Sequence, residues 1–120
     1  MRKTLAAYIL GVSVLLAAPA TAVAAPLYSW YDYQESAYRY MKKGDSASLS
    51  SLIQAYELII RRQYGQRKAV PPGIYADYGW LLIKDGRMQE GRAMLEKEME
   101  LYPESAVLIQ RMLRRYENSN

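Results

Sequence analysis

Between Ile74 and Ile83 the chain reads IYADYGWLLI, a stretch in which Asp77 is the sole charge and no helical face is free of apolar side chains. A helix that is apolar nearly all round must be covered on several sides. The stretch therefore predicts the central helix of a small bundle, wrapped by the other helices. With 120 residues, of which 51% are hydrophobic and 23% charged, the chain has material for one modest core and not two.

Composition excludes several kinds of chemistry. There is no cysteine, so these residues form no disulfide, no thiolate nucleophile and no thioether-linked lipid anchor. There is no histidine either, which removes the commonest metal ligand and the usual general base near neutral pH. No cofactor or metal is expected. Asp77 and Asp85 form the only local carboxylate pair, and at opposite ends of one helix they stand about 12 Å apart, too far to share a proton. A non-enzymatic role is the expectation. Twelve tyrosines without a phenylalanine place a ring with a wet tip at nearly every aromatic position.

Residues 1–24 have the three-part form of a secretory signal: Arg2 and Lys3, an apolar run from Leu5 to Ala18, then Pro19 and small residues. Ala22-Val23-Ala24 supplies the small-x-small cleavage pattern, with Ala20-Thr21-Ala22 as second choice, and an uncleaved membrane anchor is the alternative reading. Removing Arg2 and Lys3 leaves 14 cations against 12 acids, a balance that argues against nucleic-acid binding. The expected address is the periplasm. No transmembrane span is expected after cleavage, and lipidation is not, for want of a cysteine.

In the remaining chain, residues 25–120 read as a single helical domain. Tyr33, Ala37 and Tyr40 fall at helical spacing, predicting a first helix from about Tyr33 to Lys42 that ends at Gly44, with Trp30 and Tyr31 packed before it. Asp45 or Ser46 caps a second helix, with the stripe Leu49, Leu52, Ile53, Tyr56 and Ile60, expected to run to about Tyr64. Pro71-Pro72 is expected to occupy the first positions of the central helix, and Asp85-Gly86 to end it. A fourth helix from Met88 to Tyr102 carries Met88, Gly91, Leu95, Met99 and Tyr102 on one face, with Arg92 and Glu96 paired outside. After Pro103, Ser105 caps a fifth helix whose apolar positions are Ile109, Met112, Leu113 and Tyr116.

Tyr75, Tyr78-Gly79, Leu82, Gly86, Gly91, Leu95 and Pro103 follow at intervals that resemble the tetratricopeptide repeat, a helix-turn-helix of about 34 residues. Gly79 and Gly91 would stand where the two helices cross, with Leu82 and Leu95 beside them. A leucine at Gly79 is expected to force the helices apart and an alanine to be far milder. Tyr33, Ala37, Tyr40 and Gly44 repeat the pattern loosely, and the fifth helix reads as a terminal cap. The expected fold class is all-α: about five helices in tetratricopeptide-like antiparallel pairs plus a C-terminal capping helix. PLYSWYDY, YELI, PPGIYADYGWLL, DGRMQEGRAMLEKE and PESAVL, in that order, also resemble a bacterial family known as domain of unknown function 4810. The resemblance implies a small envelope protein without an assigned reaction, generally a lipoprotein, and this chain departs from that in lacking the cysteine.

The functional expectation is a helical-repeat module that binds another envelope protein through the surface lined by the first helix of each pair. Trp80, Ile83 and Lys84 on the central helix, with Trp30 and Tyr31, are the candidate contact residues. The alternative is a peptidoglycan- or carbohydrate-binding module in which Trp30, Tyr31 and Trp80 stack on sugar rings. Arg61, Arg62, Arg67 and Lys68 form the densest basic cluster, suited to the second helix's dipole or to an acidic partner or anionic headgroups. Mass spectrometry of the exported protein is expected to show a chain beginning at Ala25; a retained Met1 or an acylated terminus would contradict the leader reading.

Overall fold

A computed structural model describes residues 25–120, so the expected leader and the expected cleavage after Ala24 lie outside the described residues. The described chain is all-helical: α1 Tyr33–Lys43, α2 Ser46–Arg61, α3 Ile74–Lys84, α4 Met88–Leu101 and α5 Ala106–Ser119, with a single 3-10 turn, Pro103–Ser105, leading into α5. Two tight turns make two antiparallel, tetratricopeptide-like pairs, and α5 caps the C-terminal end. In the first turn Gly44 donates its N–H to the Tyr40 carbonyl, and Asp45 then caps α2 by accepting the Ser48 N–H at 2.8 Å. In the second, Gly86 at φ 84° donates to Ile83 and Arg87 donates to Leu82, a pattern that satisfies the last carbonyls of α3.

α3 is shared by two hydrophobic clusters, which accounts for its lack of a polar face. Ile74, Tyr78, Leu81 and Leu82 join Leu52, Tyr56 and Ile59 of α2, with Tyr33, Ala37 and Tyr40 of α1 packed against them. Ile83 turns the other way and joins Leu95 of α4 and Ile109 of α5. The crossing of α3 and α4 is backbone on backbone. A Cβ at Gly79 would lie 2.7 Å from the Gly91 carbonyl oxygen and 2.9 Å from Leu95 Cγ; one at Gly91 would lie 2.5 Å from both the Gly79 oxygen and Ile83 Cγ1.

Four local expectations are corrected. α2 ends at Arg61 because Arg62 leaves the helical region at φ −132°, ψ 71°, and the residues beyond it turn to meet the N-terminal segment. Its buried stripe is centred on Leu52, Ala55, Tyr56 and Ile59, with Leu49, Ile53 and Ile60 only at the margin. Pro71-Pro72 stand before α3 rather than in it: Gly73 is the N-cap, and its N–H donates to Glu98 Oε1 of α4 at 2.7 Å. Arg92 pairs with Glu117 of α5, not with Glu96, so the charge pair joins two helices instead of decorating one.

The long connection between α2 and α3 is held at two places. Tyr102 donates its hydroxyl to the Val70 carbonyl at 2.6 Å. Residues 26–31 lie across it as a strap: Gln66 and Arg67 donate their N–H groups to the carbonyls of Pro26 and Leu27. Gln63 gives its amide to the Ser29 backbone in both directions, at 2.9 and 3.1 Å. The strap crosses over Gly65, where a Cβ would come 2.4 Å from the Leu27 oxygen.

Because the groups facing Gly79 include the Gly91 carbonyl, even a methyl group must displace backbone. Gly79→Ala is expected to cost about 1–3 kcal/mol in thermal or denaturant unfolding, with Gly79→Leu costing more. This replaces the milder expectation for alanine. An alanine variant that unfolds with the wild type would show that the helices do not cross here.

Candidate functional site

An open groove of about 470 Å3 lies along the first helices of the two pairs. One wall is α1, with Tyr33, Ala37, Tyr40 and Met41; the other is α3, with Asp77, Trp80, Leu81 and Lys84. Leu52 and Tyr56 of α2 form its floor, and Met112 reaches in from α5. Both walls are helical stripes. The α3 residues fall at i, i+3, i+4 and i+7, and the α1 residues at i, i+4, i+7 and i+8, so each helix presents one continuous face.

The groove is apolar with a charge near each end of its α3 wall. Asp77 and Lys84 are two turns apart, about 10 Å along the axis. Asp77 accepts the Tyr33 hydroxyl at 3.3 Å, tying the two walls together at that end. Partial desolvation raises the Asp77 pKa above its usual carboxylate value although the residue stays exposed in the groove, and the Tyr33 hydrogen bond pulls the other way. Burial likewise raises Tyr33 and, much further, Tyr56, each opposed to ionising beside the Asp77 charge. Among the described residues, Lys84 has no carboxylate within ion-pair distance.

An aromatic ladder underlies the groove. Trp30, Tyr33, Tyr56 and Tyr78 follow one another with ring centroids 5.9, 5.3 and 5.2 Å apart, the last pair stacked within 16° of parallel. Tyr78 emerges on the far side, in a second cleft between α2 and α4, where its hydroxyl meets Glu57 Oε1 at 3.3 Å. Stacked pairs of this kind contribute about 0.5–1.5 kcal/mol beyond their buried area. The ladder fixes α1, α2 and α3 relative to one another.

The five residues singled out from sequence do not converge. Trp80 and Lys84 line the groove. Ile83 does not: it is 2% exposed, packed into the notch at Gly91, and is corrected from contact residue to core. Its place one turn beyond Gly79 was the available signal, since a helix that must approach closely at one residue buries the next on that face. Trp30 and Tyr31, both 44% exposed, line a smaller cleft with Gln34 and with Tyr33, which also borders the groove. Tyr28 meets Trp30 edge-on at 75°, Tyr33 lies tilted against it at 33°, and Tyr31 turns its hydroxyl to the Arg62 carbonyl. Trp30, Tyr31 and Trp80 therefore do not form one flat stacking platform. Sequence reasoning missed Tyr33, Tyr40, Met41 and Met112, which require knowing how α1 and α5 lie against α3.

Among the described residues no three acidic side chains cluster as a metal site, and no helix is long and apolar enough to cross a membrane. Arg61, Arg62, Arg67 and Lys68 are all exposed at the far end of α2.

The raised Asp77 pKa gives a signed pH dependence. A carboxyl that binds its proton more tightly when folded adds stability at low pH, and that contribution is lost as pH rises through the folded value. The gap in melting temperature between Asp77→Asn and the wild type is therefore expected to be small, since Asp77 is exposed, to favour the variant at neutral pH and to close below the ordinary value of 3.8. A difference that widens on acidification would contradict the burial argument.

No curated protein and no solved structure matches the chain. Residues 27–112, a span that holds all of the strap but Pro26, both helix pairs and the first half of α5, match the family described as Domain of unknown function (DUF4810), and the chain belongs to that family.

Proposed function

We propose that the chain is a periplasmic protein-interaction module that binds another envelope protein in the groove between α1 and α3, without catalysing a reaction. The observation that carries this is the groove itself: two helical walls of tyrosine, tryptophan and methionine, open to solvent, with one charge near each end of the α3 wall. Tryptophan and tyrosine are among the residue types enriched where binding energy concentrates. The export address rests on the sequence of residues 1–24. The exposed cluster Arg61, Arg62, Arg67 and Lys68 belongs, on this reading, to peripheral contact with the membrane.

Trp80→Ala and Lys84→Glu, made singly, test the groove. Chemical crosslinking in intact cells is expected to capture a discrete partner with the wild type and to lose it with either variant. Lys84→Glu should lower the melting temperature only slightly, because Lys84 makes no ion pair among the described residues and only its place in the last turn of α3 favours a cation. Undiminished capture by Lys84→Glu, together with a large fall in melting temperature for Trp80→Ala, would return both residues to ordinary structural roles.

A further inference from the structure

The pole of the molecule at the C-terminal end of α2 combines two features that helix stability accounts for only in part. The first is charge. Arg61 sits in the last turn of α2, and its Nε donates to the Glu57 carbonyl, as a cation at a helix C-terminus does. Arg62 is the C-cap. Arg67 and Lys68 lie beyond the helix, in the loop, and all four side chains are exposed. None of the four makes an ion pair among the described residues. From Arg61 to Gly73 there is no acidic residue, and in residues 25–32 only Asp32.

The second feature is a set of large apolar and aromatic side chains left in solvent around those cations. Tyr64 is 80% exposed and Leu27 51%, with Trp30 and Tyr31 beside them. Hydrogen bonds of the strap place them on the same pole: Arg67 N–H to the Leu27 carbonyl, Tyr64 N–H to Ser29 Oγ, and the Tyr31 hydroxyl to the Arg62 carbonyl. Cations ringed by tyrosine, tryptophan and leucine are what a bilayer surface selects. The cations pair with lipid phosphates, while rings with a wet tip settle at the headgroup level.

We propose that this pole docks on the surface of an anionic phospholipid bilayer, with Arg61, Arg62, Arg67 and Lys68 on the headgroup phosphates and Tyr64 and Leu27 entering the interface. The proposal rests on the reading of the basic cluster as a peripheral membrane contact; it commits to an anionic lipid surface over an acidic protein partner and adds the side chains that enter. It is independent of the groove, which is walled by α1 and α3 rather than by this loop.

The test is sedimentation of the purified exported protein with phosphatidylcholine vesicles, with and without phosphatidylglycerol. Binding is expected only with phosphatidylglycerol, to weaken in high salt, and to fall about fivefold for each cation removed. Arg67→Gln with Lys68→Gln is the charge variant, and Arg67→Glu with Lys68→Glu should abolish binding. Tyr64→Ser should weaken binding to the charged vesicles without changing its salt dependence. Lys42→Glu with Lys43→Glu, at the exposed end of α1, is the control for net charge and should bind nearly as the wild type does. Equal binding to both vesicle types would overturn the anionic assignment while leaving a peripheral contact standing. No binding to either, or equal losses from the Lys42 and Lys43 control, would overturn the membrane contact at this pole as well.

Discussion

The rest of the structure depends on the contact of α3 with α4 at Gly79 and Gly91. Two backbones can meet there only because neither residue carries a Cβ, and each glycine's missing side chain would collide with the other's carbonyl oxygen. That proximity lets Ile83 seat beside Gly91 and brings Leu95 to complete burial against α3. It also fixes which way α3 is rotated. With Gly79 and Ile83 turned toward α4, the stripe Asp77, Trp80, Leu81 and Lys84 is turned toward α1, and the groove follows.

The second organising feature is the way polar tips are accommodated in a core rich in tyrosine. Tyr33 and Tyr78 sit at the two ends of the buried part of the ladder, and each finds a carboxylate: Asp77 in one groove, Glu57 in the other. A phenylalanine at either position could stack as well but could not tie α1 to α3 or α3 to α2 through its tip. The same logic recurs at Tyr102, whose hydroxyl holds the Val70 carbonyl and with it the long connection before α3. Glu98 works beside it. Its side chain is 2% exposed, with one oxygen on the N-cap N–H of α3 and the other without a partner among the described residues. A carboxylate at that end of a helix faces favourable backbone dipoles, and this is where the chain places an acid on an otherwise apolar face.

Much of this was legible in the sequence, for reasons that are local. Helix periodicity, the Gly44-Asp45 and Asp85-Gly86 turns and the spacing of Gly79 and Gly91 are set by residues near one another in the chain, and those features stand as read. What was not legible depends on angles between elements. Ile83 was placed on the open face because a helix apolar all round does not announce its rotation; only the depth of the Gly91 notch does. Arg92 has Glu96 one turn away, yet it pairs with Glu117 because α5 folds back beside α4. The strap could not be foreseen from Gly65 alone, since a glycine after a helix reads as a terminator before it reads as a crossing point. Met112 enters the groove for the same kind of reason, from a helix whose apolar stripe reads as a cap.

The central claim is that the α1–α3 groove, and not the cleft on the other side of the ladder, is the working surface. The most direct measurement replaces Met41, Met112 or Met94 singly with a photo-crosslinking amino acid and irradiates intact cells. Met41 and Met112 line the groove, and Met94 lines the cleft between α2 and α4. Adducts to one and the same envelope protein from Met41 and Met112, with none from Met94, are the result this account predicts. Adducts from Met94 with none from the two groove positions would contradict it.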